Sequence, residues 1–386
     1  MVLNHFFTFY QSLGGVQSIL KRHHREDHRR GHNSRFVIYF EKTIYTDPSI
    51  TGLGLTWRDT IASTRQKFHH LEFPADSIAV CHNLWGLPFL ADLMPAHRRV
   101  GLLHSYWTGL EKFIAAQRGL LDGVLCVSNP LVELVRHCMP ELDGERVTLI
   151  PYPIDGMGLP PCRPAMMERP VVIGWTGRLE VEQKRVDRLP LLVAALESIE
   201  LDFRLEILGA GPRESWLRRK LPPERVRFHG RKTGDAYWSA LKGWDFIVSV
   251  SDYEGLPISM LEALSTGTLP ICPKIGSGGD AYAGRLDPEF LYPPGDFKAA
   301  AKAVRTAVEK PETDLESLRQ AAHAMTEPHS ETNYFRTFDS FVEHIGKLPR
   351  VSQTYHPPRR FFFADHCPFG VLRRLWNRGS NKRNDE

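Results

Sequence analysis

Three observations predict an α/β protein with two doubly wound parallel sheets in two domains. The chain has 386 residues, more than one hydrophobic core usually serves. Short apolar runs alternate with longer amphipathic ones through both halves, the rhythm of parallel strands with helices on both faces. Between the halves lies a stretch with proline at 151, 153, 160, 161, 164 and 170, a linker composition.

The first domain is expected over 1–155. Its strand-like runs fall at 3–10, 35–40, 77–81, 100–104, 123–128 and 147–151, with a first helix over 16–28. The linker follows at 156–170. The second domain, 171–330, carries strand-like runs at 171–175, 203–208, 226–228, 246–250 and 268–272. A helical run at 331–348 and a basic, aromatic tail at 351–386 complete the chain. The segments 46–57 and 83–95 read as irregular loops. Open parallel sheets bind ligands outside the carboxyl ends of their strands, so the residues just after each run are the candidates for function.

Composition narrows the classes. Net charge is +4 with a pI near 8.7, too mild to argue for nucleic acid as a partner. The tail alone holds seven Arg or Lys against three acids, which leaves the body near neutral. Six cysteines are scattered without a Cys-x-x-Cys pair, so neither a disulfide framework nor a zinc site is expected and a reducing cytosol fits. The first 15 residues lack the basic lead and small-residue cleavage site of a secretory signal and read as a buried strand. No window holds 18 uncharged apolar residues, so a spanning helix is not expected. The expected location is cytoplasmic, with the tail offering a peripheral contact to the anionic inner face of a membrane.

The stretch from Glu254 to Glu262, EGLPISMLE, is the most informative. Gly255 and Pro257 precede a helix-compatible run, 258–266, that Gly267 ends. Amide groups at such a helix start suit a phosphate. One carboxylate just outside the helix and one a turn inside it could bracket a diphosphate joined to two hydroxyl-bearing rings. A nucleotide-sugar has that shape.

This Glu-x7-Glu stretch resembles the signature of retaining GT-B glycosyltransferases of the family 4 type, the glycosyl transferases group 1. The likeness extends upstream through Gly174-Trp175-Thr176-Gly177-Arg178 with Lys184, through Leu208-Gly209-Ala210-Gly211-Pro212, and through the strand end at His229 and Gly230. Order and spacing agree over about 125 residues. The first half matches more loosely, at Gly14, Gly15 and His104. The resemblance implies a GT-B fold, two Rossmann-like domains facing across a cleft, with the nucleotide-sugar in the second domain and the acceptor in the first.

Residue by residue, it implies that Arg178 and Lys184 hold the donor diphosphate, that Glu262 accepts from the ribose hydroxyls, and that Glu254 binds hydroxyls of the donor sugar. Gly255, Leu256, Pro257 and Ile258 would bring backbone to the phosphates or sugar, although Pro257 has no N–H to give. Competing readings stand beside these: a solvated charged helix start for the two cations, helix-capping carboxylates for the two acids. Gly177, Gly209 and Gly211 read as turns that let backbone approach a nucleotide or simply as tight turns; the third glycine of a dinucleotide fingerprint is missing, with Glu214 in its place. His229 is either a contact to the base or a strand-end histidine. Gly14 and Gly15 offer backbone to a phosphate or acceptor, or an ordinary αβ turn. His104 lies against the donor sugar by resemblance, with a buried, satisfied histidine as the alternative. His24 and His28 stand four apart, but no carboxylate or cysteine partner is suggested and there is no Asp-x-Asp motif, so neither metal nor cofactor is expected. The activity implied is metal-independent glycosyl transfer with retention to a carbohydrate or lipid-linked acceptor, as in polysaccharide, lipopolysaccharide or glycolipid assembly. A non-catalytic nucleotide-sugar-binding module is the alternative.

Overall fold

Strand after strand of this chain is buried along most of its length, as strands are when helices cover both faces of a sheet. The computed structural model describes residues 1–11, 14–42, 45–94, 98–107, 109–155, 169–351 and 365–372; the 156–168 stretch and most of the basic tail lie outside them. The chain forms two compact units, Met1–Ile150 with Phe335–Glu386, and Pro151–Tyr334.

In the first unit, β1 (Val2–Phe7), α1 (Gly15–Glu26), β2 (Asn33–Ile38), β3 (Ile50–Gly52), α2 (Ile61–His69), β4 (Ile78–His82), α3 (Leu87–Leu90), β5 (Arg98–Leu103), α4 (Leu110–Ala115), β6 (Gly123–Cys126), α5 (Asn129–Cys138) and β7 (Val147–Leu149) follow in order. All neighbours are parallel in a seven-stranded sheet, β3-β2-β1-β4-β5-β6-β7. The apolar N-terminal run is thus a central strand. Helix α1 turns Ile19, Leu20 and His23 inward, the 3.6-residue period of a helix with one covered face. Helix α2 starts where Thr60 and Ser63 cap one another reciprocally.

The second unit runs β8 (Val171–Thr176), α6 (Leu189–Ser198), β9 (Phe203–Leu208), α7 (Glu214–Lys220), β10 (Val226–Gly230), α8 (Gly234–Lys242), β11 (Phe246–Val248), α9 (Ile258–Ser265), β12 (Leu269–Pro273), α10 (Gly278–Leu286), β13 (Leu291–Tyr292), α11 (Phe297–Val308) and α12 (Glu312–Ala324). Its six strands are parallel in the order β10-β9-β8-β11-β12-β13. Helix α13 (Glu331–Lys347) follows, and from Phe335 onward its residues belong to the first unit. Strands β3 and β13 escape sequence reading because three and two residues are too few to show a period. Part of the segment expected as a loop at 46–57 is therefore an edge strand.

Part of the tail is anchored. Phe369 is buried among Phe40, Trp85 and Phe89, and its N–H donates to the Asp59 carbonyl at 2.9 Å. Among the described residues no helix is long and apolar enough to cross a membrane.

Gly174, inside β8, has a packing reason to be glycine: a Cβ there would lie 1.9 Å from the ring of the fully buried Trp244. Gly174→Ala is expected to destabilise the second unit by about 2 kcal/mol through overpacking. Urea unfolding measures this, and an unchanged midpoint would mean that the indole moves aside freely.

Candidate functional site

The loop between β11 and α9 carries Glu254, and everything around it is arranged to hold that carboxylate. Burial leaves the residue only 7% exposed, so an unpartnered negative charge there would be costly. Three donors meet it. Lys184 Nζ lies 2.7 Å from Oε1, the Ser251 hydroxyl donates to Oε1 at 2.8 Å, and Gln183 Nε2 donates to Oε2 at 3.1 Å. The two loops that supply these groups are clamped together: Asp252 N–H donates to the Gln183 carbonyl at 3.2 Å, and the Asp252 carboxylate pairs with Arg185 and Arg188 at 2.6 Å each. Arg185 takes a left-handed conformation, φ 45°, a strained choice that functional loops tolerate when their surroundings hold it. Trp175, Thr176, Lys184, Ser251, Glu254 and Pro257 line a cavity of about 30 Å³, room for about one water.

Helix α9 begins directly after Pro257, and its last turn closes at Gly267, φ 74°. Glu262 is half-buried one turn inside and accepts a hydrogen bond from the Tyr237 hydroxyl of α8 at 2.6 Å. Burial, and then the adjacent Glu262 charge, push the Tyr237 phenol well above its usual range, so it stays a donor at neutral pH. Gly255 is buried, and its carbonyl accepts from Gly278 at 2.7 Å. Leu256 is buried in the same turn, while Pro257 and Ile258 are half-buried at the helix start.

Lys184 and Glu254 are brought together. Arg178 is 60% exposed and pairs with Glu180 at 2.9 Å. The glycines of the two neighbouring turns serve each other: a Cβ on Gly209 would fall 1.9 Å from the Gly177 carbonyl oxygen, and one on Gly211 would fall 2.6 Å from that of Leu179. The turns after β8 and β9 are stitched by Leu179 N–H to Ala210 and Arg213 N–H to Leu179. Close packing of two loops accounts for these glycines without a ligand. At the end of β10, His229 Nε2 lies 3.4 Å from the Glu206 carboxylate, which also accepts from Trp244 Nε1 at 3.0 Å.

In the first unit, Gly14 is extended at the start of α1 and Gly15 is its first residue. His104, just past β5, is buried; its N–H donates to Asn83 Oδ1 at 2.8 Å, and its ring stacks on His82 at 5.0 Å with Nε2 2.8 Å from His82 Nδ1. Burial holds both imidazoles well below the usual histidine pKa. His24 is not a bare member of a basic face: it bonds the Tyr10 hydroxyl at 3.0 Å and the Asp47 carboxylate at 2.8 Å.

Among the described residues, His5, His23 and Asp27 are grouped closely enough to hold a metal ion. Their chemistry is that of a hydrogen-bonded cluster instead. Asp27 Oδ1 already accepts from His23 at 2.9 Å and Arg30 at 2.5 Å, and Oδ2 from His5 at 3.1 Å and Ser34 at 2.6 Å. A cation would have to displace an arginine. Tyr237, Ser251, Gln183, His82, His5 and Asp27 all escape sequence reading. The one signal for the histidines is that His5 and His82 stand inside mostly apolar strands.

Residues 170–310 match the family model of glycosyl transferases group 1. Among curated proteins, the sulfoquinovosyl transferase SQD2 of Arabidopsis thaliana is 29% identical over 164 residues, which is 42% of this chain and 31% of that protein. The chain thus spans about a third of the length of that relative. Among solved structures, the pneumococcal O-GlcNAc transferase GtfA, in complex with UDP and GlcNAc, superposes with a TM-score of 0.67 at 10% identity, over 90% of this chain and 99% of that one. The lipopolysaccharide outer core galactosyltransferase WaaB, in its apo form, gives a TM-score of 0.66 at 18% identity over 89% and 99%. At such identities the likeness is one of fold, and the fold is GT-B.

Proposed function

We propose that this chain, a GT-B protein whose residues 170–310 match the model of glycosyl transferases group 1, moves a sugar from a nucleotide-sugar to an acceptor hydroxyl with retention at the anomeric carbon. The observation that carries the reading is the Lys184–Glu254 pair, a cation and a carboxylate held at 2.7 Å beside the start of α9. An arriving diphosphate would draw Lys184 away and release Glu254 to accept from hydroxyls of the donor sugar. Arg178 can be recruited at little cost, because its exposed pair with Glu180 is weak. The two cations and the helix start then stabilise the leaving diphosphate, and fixed positive charge takes the part a metal would otherwise play. Glu262, oriented by Tyr237, would select ribose by directional hydrogen bonds. The acceptor hydroxyl attacks from the side the leaving group departs, and its proton passes to a leaving-group oxygen.

The acceptor class we favour is a carbohydrate or lipid-linked carbohydrate of polysaccharide, lipopolysaccharide or glycolipid assembly, met in the cytoplasm at the membrane face. Arg359, Arg360, Arg373 and Arg374 supply charge for that contact. Replacing all four with glutamine spares the buried Phe369 and is expected to lower cosedimentation with anionic vesicles at least fivefold; unchanged cosedimentation removes the membrane contact.

Thermal unfolding with UDP, GDP, ADP or CMP tests the donor site. One nucleotide, at a hundred times its dissociation constant, is expected to stabilise the wild type by about 2.7 kcal/mol, and Glu262→Ala to lose most of that gain. If none of the four stabilises the wild type, the donor site is wrongly assigned. Stabilisation without transfer to any acceptor would mark a binding module.

A further inference from the structure

We infer that the outer edge of the second sheet, where α7 and β10 meet, is a docking surface for an anionic lipid bilayer. This extends the membrane contact proposed for the tail to a surface that lies wholly in the second unit, and vesicle binding reads it whether or not sugar is transferred.

The surface begins as a concentration of charge in a body that is near neutral. Between residues 213 and 232 the chain carries eight Arg or Lys against two acids. Two of the eight are balanced, Arg218 by Glu214 at 2.9 Å and Arg225 by Asp202 at 2.6 Å. Arg213, Arg219, Lys220, Arg227, Arg231 and Lys232 have no carboxylate within ion-pairing distance among the described residues, and all but the half-buried Lys232 are exposed. The fold gathers them. Strand β10 is the outermost of its sheet, and α7 rests on it, with the Arg218 guanidinium 4.4 Å over the Phe228 ring. The helix, the edge strand and the turn after it thus bring their cations to one edge of the unit.

Local reasons cover only part of this charge. Arg218, Arg219 and Lys220 stand in the last turn of α7, where the helix dipole favours a cation, and Arg227 keeps an edge strand from pairing with another chain. Neither reason reaches Arg213, at the N-cap of α7, where the same dipole opposes a cation, or Arg231 beyond the strand. What these residues share is their sign. Like charges gathered without counter-charges repel one another, and a surface dense in anions relieves that repulsion. Spread over a helix, a strand and a turn, they match an extended anionic surface better than one small anion. Trp216 decides between kinds of surface: it is half-buried, with the Arg213 guanidinium 6.0 Å from its ring, and tryptophan settles at the headgroup level of a bilayer. A soluble polyanion has no apolar layer to receive it.

Cosedimentation of the full chain with vesicles of phosphatidylglycerol and phosphatidylcholine in equal parts tests the surface. The triple variant Arg219→Gln/Lys220→Gln/Arg227→Gln, its tail untouched, is expected to bind them at least tenfold more weakly than the wild type at physiological salt. Its urea midpoint should not move, because all three side chains are exposed. A second triple variant, Arg285→Gln/Lys298→Gln/Lys302→Gln, removes the same charge from exposed sites elsewhere in the unit and is expected to stay within about twofold of the wild type. Equal losses in the two variants would mean that net charge alone is read, and undiminished binding by the first would mean that this edge does not touch lipid; either result overturns the inference. If the first variant leaves a heparin column early yet binds vesicles as the wild type does, the edge belongs to a soluble polyanion and the bilayer is refuted. If no nucleotide stabilises the protein, the donor reading fails while the vesicles still decide this one.

Discussion

Lys184→Ala is expected to lower glycosyl transfer about a hundredfold, the usual scale for removing one preorganised charge from a developing anion. It should also lower stability. Lys184 and Glu254 have side-chain exposures of 17% and 8%, and without the lysine the donors to Glu254 among the described residues are Ser251 and Gln183, both neutral. Leaving a buried charge so placed costs roughly 3 kcal/mol. The double variant Lys184→Met/Glu254→Gln separates the two effects, because it removes both charges at once. Its urea midpoint should recover most of the loss while its transfer rate stays low. A double variant that regains activity, or a single variant with wild-type rate, would leave the pair a structural clamp and nothing more.

Acid is expected to weaken the first unit well above the pH at which carboxylates titrate. His5 has its pKa lowered from 6.5 to about 4 by burial, so between those values the unfolded chain binds a proton that the folded one refuses. Stability therefore falls as pH drops through that window, by about 3 kcal/mol for His5 alone. His82 and His104 move in the same direction. Asp27 acts later: its folded pKa lies below the usual carboxylate range, so what it contributes is present above about pH 4 and lost only beneath it. Urea unfolding at pH 7.5, 6.0, 5.0 and 4.5 should show the steep part of the loss between pH 6.5 and 4.5. A midpoint flat across that range would mean that the imidazoles are already charged or hydrated in the folded state.

What the sequence disclosed is what lies close together along it. Glu254 and Glu262 share one loop and helix, and Lys184 precedes them in a spacing that a single chain displays. The partners that make them a site are less legible. Tyr237 reaches Glu262 from another helix, and Ser251 is an ordinary loop serine until the turn aims its hydroxyl. His5 and His82 are 77 residues apart and meet only through the register of two adjacent strands, which depends on tertiary packing. Asp47 beside His24 is the same case, a carboxylate partner that no local pattern announces. Gly209 and Gly211 were legible as turns, but their reason, contact with the carbonyls of Gly177 and Leu179, needs both loops in place.

The chain's return to the first unit at Phe335 has a consequence for synthesis. Arg98 donates to the carbonyls of Ile345 and Leu348, Arg146 to that of Pro349, and Gly123 is bare where Phe341 and Ile345 come closest. These partners leave the ribosome long after residue 150. At ~5–20 residues per second the interval is roughly ten to forty seconds, and through it the nascent first unit keeps an uncovered apolar face around β5 and β6. The second unit, contiguous in sequence, is complete by then. A chaperone that binds exposed apolar surface would therefore engage the earlier-made unit, the later-made one would be native first, and a stop codon just before Phe335 would be expected to leave a folded carboxyl-terminal unit on an aggregation-prone amino-terminal half.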